Sequence, residues 1–164
     1  MFDYRINTIF LDSDGVMADF DKRAAEIFGM TAEKFEYQYG PEIFWNTLRS
    51  ADPHFFRNLD WMPDAMELYN AVKHLKHAIL TGIPKEGVDA HSNDKIDFYK
   101  YKLDPNLRVY CCQASKKWTF CQKGDILIDD RFRYSKKWEN AGGTFIHHKS
   151  ADQSLEKLRD MRVI

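Results

Sequence analysis

Residues 9–16 read Ile-Phe-Leu-Asp-Ser-Asp-Gly-Val, an apolar run followed at once by two aspartates and a glycine. A continuous apolar run is typical of a parallel strand that is buried on both faces. Open α/β sheets bind ligands at the carboxyl ends of such strands, which is where Asp12 and Asp14 would lie. Gly15 permits the tight turn that brings backbone amides near a bound anion. The stretch therefore predicts the first strand of an α/β fold together with part of its site.

Further apolar runs along the chain extend this pattern. The predicted strands are residues 6–11, 78–80, 107–110, 126–128 and 144–146. Amphipathic segments of helical period lie between them, one of them opening near Pro63 and Asp64. Strands that alternate with helices predict an α/β fold with a parallel sheet of about five strands.

The segment from 19 to 62 breaks this alternation because it is helical in pattern, long and rich in aromatic residues. These aromatics are Phe20, Phe28, Phe35, Tyr37, Tyr39, Phe44, Trp45, Phe55 and Phe56. A single crossover helix does not need such length. We therefore predict a catalytic core of residues 1–18 and 63–164, with a small helical cap, residues 19–62, inserted after the first strand.

Composition limits the classes of function. With 164 residues, 44% of them hydrophobic, the chain can build a core. Its 24 basic and 25 acidic residues give a net charge of −1, which argues against long nucleic acid or a membrane surface as partner. Three cysteines without framework spacing favour a reducing compartment, and the first apolar run is too short for a signal peptide. These features predict a cytoplasmic protein, with a homodimer as one option for its assembly.

A second pair of acids, Asp129 and Asp130, also follows an apolar run, residues 126–128. If this strand neighbours the first, Asp12 and Asp129 meet at one sheet edge and require a cation or a proton between them. Oxygen ligands favour Mg²⁺. Asp130 is better interpreted as orienting the ligands or a lysine. Either acid pair alone could simply cap a helix.

The acids suggest phosphate chemistry. Asp12 can attack phosphorus as a nucleophile, and Asp14 can protonate the leaving oxygen and then activate water. Thr81 and Gly82 end another apolar run and could bind a phosphate oxygen. A lysine before the fourth strand, Lys117 with Lys116 as its rival, could neutralise the phosphate, although adjacent lysines are more often a surface pair.

Together these motifs resemble the haloacid dehalogenase (HAD) superfamily of phosphotransferases, in which strand–D-x-D-G-V, strand–T/S, a lysine and strand–D-D follow in this order. The closer resemblance is to its 5′(3′)-deoxyribonucleotidase branch. Residues 12–20 match that branch's D-x-D-G-V-x-A-D-F, and residues 124–131 match its G-D-x-L-I-D-D-[KR]. Residues 55–65 are similar to its F-F-x-x-L…x-P-x-A stretch. The branch usually has T-S-P where this chain has Thr81-Gly82-Ile83-Pro84.

The resemblance implies a Rossmann-like three-layer core with a helical cap that holds a nucleobase. It implies Mg²⁺ bound by the side chains of Asp12 and Asp129 and by the backbone carbonyl of Asp14. The phosphate ligands it implies are Thr81, Gly82, Lys117 and Lys85. The base contacts would be Phe20 first, then Trp45 and Phe56.

Three other functions compete with a phosphatase acting on nucleoside (deoxy)monophosphates. The same chemistry could serve another small phosphate monoester or a nucleic-acid 3′-phosphate. Dehalogenation also uses an aspartate nucleophile, but a halide leaves without an acid or a metal. A non-catalytic nucleotide-binding protein would bury several carboxylates at a cost and without a chemical use for them.

Overall fold

The computed structural model describes residues 7–85 and 87–164, in which strands and helices alternate. The strands are β1 (Ile9–Leu11), β2 (His77–Gly82), β3 (Val109–Cys112), β4 (Ile126–Asp129) and β5 (Thr144–His147). The helices are α1 (Phe20–Phe28), α2 (Ala32–Ala51), α3 (Ala65–Val72), α4 (Val88–Lys102), α5 (Ser135–Asn140) and α6 (Ala151–Asp160). The 3₁₀ segments Ala114–Phe120 and Phe132–Tyr134 follow β3 and β4.

The strands form one parallel sheet in the order β3-β2-β1-β4-β5. The α/β class with about five parallel strands is thereby confirmed. The central strands are buried along their whole length, which explains why their sequences are continuously apolar rather than alternating. Because β1 lies between β2 and β4, the residues that follow these three strands converge at one edge of the sheet.

The predicted strand boundaries need two corrections. The third strand begins at Val109 rather than at residue 107, because the Leu107 amide donates to the Asp104 carbonyl in a turn. The first strand begins at Ile9, and the part of that prediction at Ile6 lies outside the described residues. The other strands agree with prediction, but β2 is three residues longer than predicted and β4 and β5 are one residue longer each.

Two backbone hydrogen bonds join the ends of the predicted cap. The Met62 amide donates to the Met17 carbonyl and the Asp19 amide to the Asp60 carbonyl, both at 2.8 Å. Helices α1 and α2 lie between the two chain segments that these hydrogen bonds join. Helix α2 kinks at Gly40, where φ is +81°. The pairing falls within two residues of the predicted limits, 19 and 62, but the division into core and cap remains an interpretation.

The aromatic residues of the 19–62 segment mostly build a hydrophobic core. Phe44, Phe55 and Phe56 are buried in the same apolar cluster as Leu11 and Ile79 of the sheet. Phe28 and Phe35 stack with ring centroids 3.9 Å apart. This packing fixes the two cap helices over the carboxyl edge of the sheet, which brings the cap residues near the predicted site.

Within residues 7–85 and 87–164, no helix has both the length and the apolar character that crossing a bilayer requires.

Candidate active site

The carboxyl ends of β1 and β4 bring Asp12 and Asp129 together. Leu11 pairs with Ile128, so the next residue of each strand emerges at the same level. The Asp12 amide donates to the Ile128 carbonyl at 2.9 Å, which continues the ladder one residue beyond β1. The condition on which the meeting of Asp12 and Asp129 depends, that the first and fourth strands are neighbours, is met. Two strand ends that are far apart in sequence thus supply one carboxylate each to a common site.

Lys117 connects the two carboxylates. Its Nζ lies 2.7 Å from Asp12 Oδ1 and 2.7 Å from Asp129 Oδ2, and the side chain is buried. Burial alone would lower the pKa of Lys117, but the charges of Asp12 and Asp129 raise it above its usual value. The neighbouring Lys116 is exposed. Of the two predicted lysines, Lys117 is therefore the one that the fold directs into the site.

Asp130 adds a third carboxylate. Oxygen atoms of Asp12, Asp129 and Asp130 lie within 4.8 Å of one another. The Asp130 Oδ1 atom is buried without a hydrogen-bond partner among the described residues. Burial, together with the charges of Asp12 and Asp129, raises the pKa of Asp130 to about 7. An acid with so high a pKa lacks compensation for its negative charge.

The donor set fits a divalent cation. Three carboxylates face a single ammonium group, so full ionisation would leave two uncompensated negative charges. Burial and the Asp12 charge also raise the pKa of Asp129. Ligands that are all oxygen suit Mg²⁺, which keeps some waters and accepts a substrate oxygen. Asp130 is close enough to bind an ion directly, so the geometry allows this role beside its predicted role of orienting the ligands.

Asp14 lies in a tight turn beyond β1. The Ser13 carbonyl accepts from the amides of Met17 and Ala18, and Ser13 Oγ accepts from the Tyr99 hydroxyl at 2.8 Å. Burial raises the pKa of Asp14, and the ammonium of Lys95, 2.6 Å from Asp14 Oδ2, opposes that rise. Both Asp12 and Asp14 line one cavity, so a substrate could reach the two acids together.

The predicted phosphate ligands lie at different depths. Gly82 lines the cavity, and Thr81 is fully buried beside it with its hydroxyl 2.9 Å from Lys95 Nζ. Lys85 is exposed and is not among the described residues that line the cavity. A different lysine, Lys95, reaches this edge of the sheet instead. The structure thus brings Lys117, Thr81 and Gly82 to the acids and leaves Lys85 outside.

A cavity of about 660 Å³ separates the acids from the cap. Phe20 and Trp45 line it and are half-buried, with ring centroids 6.2 Å apart. Phe56 also lines it but is only 2% exposed and packs against both rings, so most of its surface serves the core. All three predicted base contacts therefore border the same space as Asp12 and Asp14.

The rim of the cavity divides by charge. Asp21, Glu33 and Glu36 line its cap side. Arg131 and Arg133, which follow the acidic pair at the end of β4, line its core side. At the rim, an anionic group would be attracted to the two arginines and repelled by the three acids of the cap side, and an uncharged group that donates hydrogen bonds would suit the cap.

Comparison of the coordinates with solved structures gives the same architecture. A HAD family hydrolase from Deinococcus radiodurans, with bound phosphate and sodium, superposes with a TM-score of 0.51 at 12% identity. The match covers 92% of this chain and 87% of that one. A hydrolase from Streptococcus pneumoniae superposes with a TM-score of 0.53 at 13% identity, over 97% of this chain and 99% of that one.

The chain shares the α/β fold of these two hydrolases. The L-2-haloacid dehalogenase from Xanthobacter autotrophicus also matches, with a TM-score of 0.48 at 12% identity, over 94% of this chain and 83% of that one. No protein-family model matches the sequence, and no curated protein matches it. At such low identity the likeness establishes the fold, and the chemistry depends on the residues of this site.

One residue of the site escaped the sequence analysis. Lys95 lies on α4, whose buried positions His91, Asp94, Lys95, Phe98 and Tyr99 have the spacing of a single helical face. Three of these five residues are polar, so a search for apolar periodicity misses the helix face that carries Lys95. A search for polar residues at helical spacing in the segment before the third strand could have identified Lys95.

Gly15 provides a prediction about the site's packing. Its φ is +81°, and a Cβ atom there would collide with the carboxylate of Asp130. We expect Gly15→Ala to lower the free energy of unfolding by about 1–3 kcal/mol through backbone strain. Because the methyl group also displaces Asp130, kcat/KM should fall on the order of 10²-fold. Thermal melting and steady-state kinetics would measure the two effects.

Gly29→Ala is the matched control. Its φ is +68°, and nothing lies within 4 Å of a Cβ built there. This variant should lose stability to a similar degree but retain its activity when folded. Equal losses of activity in the two variants would show that strain alone, not contact with Asp130, explains the effect of Gly15→Ala.

Proposed function

We propose that the chain is a Mg²⁺-dependent phosphatase that hydrolyses nucleoside monophosphates, with deoxynucleotides preferred, through an aspartyl-phosphate on Asp12. The single observation that carries the proposal is the convergence of oxygen atoms of Asp12, Asp129 and Asp130 within 4.8 Å of one another, with the buried Lys117 bound to the first two. The HAD hydrolase fold supports it, and so does the sequence resemblance to the deoxyribonucleotidase branch.

The chemistry proceeds in two displacements on phosphorus. A carboxylate oxygen of Asp12 forms a bond to phosphorus while the ester bond to the leaving oxygen breaks, and Asp14 gives that oxygen a proton. Asp14 then takes a proton from water, whose oxygen attacks phosphorus and releases phosphate and free Asp12. Lys117 compensates negative charge on the nucleophile and on the transferred group.

Asp12, Asp129 and the Asp14 carbonyl would hold Mg²⁺, with Asp130 as orienting residue or further ligand. When bound, the ion supplies positive charge that stabilises the phosphoryl oxygens and offsets the repulsion between carboxylates. The raised pKa of Asp130, about 7, supports this assignment because burial and the charges of Asp12 and Asp129 raise it more than Arg131 and Lys117 lower it.

The cavity supports a nucleoside as the group that carries the phosphate. A substrate must direct its anionic end to Lys117 and away from the acids on the cap side of the rim. Its other end then meets Phe20 and Trp45, onto which a base could stack with a gain of about 1–3 kcal/mol. Carboxylates at the rim can accept hydrogen bonds from a base or a sugar hydroxyl. The nucleotide, rather than long nucleic acid or a membrane, is thus the proposed partner, in a cytoplasmic setting.

The second candidate is the same reaction on another small phosphate monoester or on a nucleic-acid 3′-phosphate. It is favoured by Gly82, which offers a backbone amide where the deoxyribonucleotidase branch usually has a serine hydroxyl. One missing contact to the phosphate changes which ester shapes fit best. Dehalogenation gains no support from the acid cluster, because a halide needs neither Asp14 nor a divalent cation to leave.

A kinetic panel tests both levels of the proposal. Purified protein would be assayed with ribo- and deoxynucleoside 5′- and 3′-monophosphates, sugar phosphates, a 3′-phosphorylated oligonucleotide and p-nitrophenyl phosphate. Each assay would be run with Mg²⁺ and with EDTA. We expect phosphate release that EDTA abolishes, with the highest kcat/KM for deoxynucleotides. If EDTA leaves turnover unchanged, the proposed Mg²⁺ dependence is refuted. If sugar phosphates are hydrolysed as well as nucleotides, the proposed nucleotide specificity is refuted.

Asp14→Asn should lower kcat for a deoxynucleoside monophosphate by about 10²-fold or more, because the amide cannot donate the proton that the sugar oxygen needs. The loss should be much smaller for p-nitrophenyl phosphate, whose leaving group departs as a stable anion. Steady-state kinetics on both substrates would measure this difference. An unchanged rate on the nucleotide would assign the proton transfer to another group.

A further inference from the structure

Lys95 is the most completely enclosed charged side chain of the site. It extends from the middle of α4, it is only 2% exposed, and its Nζ has three oxygen acceptors. These are Asp14 Oδ2 at 2.6 Å, Thr81 Oγ1 at 2.9 Å and the Gly82 carbonyl at 3.0 Å. The three donors of an ammonium group are therefore all used.

The same ammonium also contacts the cap. Its Nζ lies 4.4 Å from the centroid of the Phe56 ring, in the range of a cation–π interaction. Phe56 packs against Phe20 and Trp45, the two half-buried rings that border the cavity. Lys95 thus contacts the turn after β1, the end of β2 and the aromatic cluster of the cap at once.

Burying an ammonium so completely is strongly unfavourable unless its partners compensate for the lost hydration. A lysine that only docked α4 onto the sheet could be replaced by an apolar residue of similar length. Lys102, on the same helix, has no carboxylate among these contacts: its Nζ donates to the Leu59 carbonyl and lies 4.7 Å from the centroid of the Phe98 ring. What distinguishes Lys95 is its charged contact with Asp14.

The contact selects one oxygen of Asp14. Lys95 holds Oδ2, while Oδ1 has no hydrogen-bond partner among the described residues. Asp14 itself lines the cavity beside Asp12. A carboxyl group held by one oxygen has a defined orientation, and proton transfer to a leaving oxygen depends strongly on such orientation.

We propose that Lys95 is a positioning residue that fixes the Asp14 carboxyl group for proton transfer to the leaving oxygen, by holding its Oδ2 atom in a charged hydrogen bond. The inference rests on the proposed phosphatase function and deepens it, because Asp14 must be the proton donor for the positioning to matter. Thr81 takes part in the same arrangement as an acceptor, so its hydroxyl serves the lysine as well as any phosphate contact.

The test compares two leaving groups on one protein preparation. Lys95→Met would be assayed in Mg²⁺ with a deoxynucleoside 5′-monophosphate, whose sugar oxygen needs a proton, and with p-nitrophenyl phosphate, which does not. We expect kcat to fall by about 10- to 100-fold for the nucleotide and by less than about 3-fold for p-nitrophenyl phosphate. Because both assays use the same sample, the ratio is insensitive to any fraction that fails to fold.

Lys102→Met is the matched control, since it removes from the same helix a lysine that is exposed but makes the same kind of ring contact. Its ratio between the two substrates should equal that of the wild type. A double variant with Asp14→Asn adds a second control: once the acid is gone, removing Lys95 should cost little more on the nucleotide.

Equal losses on both substrates, or additive losses in the double variant, would overturn the proposal and leave Lys95 with a structural role. If Lys95→Met does not fold, Lys95→Arg keeps the charge with a different shape, and a ratio equal to that of the wild type would then count against positioning. Failure of the phosphatase function itself gives another result, in which the wild type releases phosphate from neither substrate.

Discussion

Asp12→Asn should abolish turnover and leave the fold intact. An amide cannot form the aspartyl-phosphate, so we expect kcat to fall on the order of 10⁴-fold or more for every phosphate ester. The fold should tolerate the change because the site holds three carboxylates against the single ammonium of Lys117. In EDTA the variant should melt at the wild-type temperature or above it. Kinetics and thermal melting on the same preparation would measure both outcomes.

Asp160→Asn is a suitable control, since Asp160 is exposed at the end of α6, far along the chain from the acid pair. It should keep the full rate. A phosphoryl adduct on the Asp12 peptide, found after acid quench of the wild type and missing from Asp12→Asn, would identify the nucleophile directly. Near-full activity in Asp12→Asn would contradict the assignment.

Lys117→Met should have the second largest effect, because it removes the only ammonium that contacts both Asp12 and Asp129 among the described residues. We expect kcat to fall about 10³-fold, since the charge that faces the transferred phosphoryl group is lost. Breaking a buried ion pair should also lower the free energy of unfolding, measured in EDTA, by about 3 kcal/mol. Added Mg²⁺ should restore part of that stability by binding the carboxylates of Asp12 and Asp129, which have then lost their ammonium partner.

Lys116→Met is the matched control on the neighbouring residue, which is exposed. It should change the rate by less than about 3-fold and the free energy of unfolding by less than about 0.5 kcal/mol. The reverse result, a large loss for Lys116 and a small one for Lys117, would mean that Lys116 is the phosphate lysine. Chemical denaturation in EDTA and in Mg²⁺ would separate the two variants.

Much of the architecture could be predicted because strands of a parallel sheet are buried on both faces. Residues 126–128 and 9–11 are continuously apolar and are followed by acids. The sequence therefore identified both runs as buried parallel strands and placed the acids at their carboxyl ends. The third strand begins at Val109, two residues later than predicted, because the Leu107 amide donates to the Asp104 carbonyl in a turn. An apolar pattern does not reveal such a local hydrogen bond.

The sequence by itself determined the α/β class, the five-stranded parallel sheet and the position of two acid pairs at strand ends, since each depends on short-range pattern. Only the tertiary structure decided that β1 and β4 are neighbours, that Lys117 rather than Lys116 faces the acids, and that Lys95 holds Asp14. The physical reason is that these are charged contacts between residues far apart in the chain. Their partners are set by strand order and helix docking, about which the spacing of residues along the sequence carries no information.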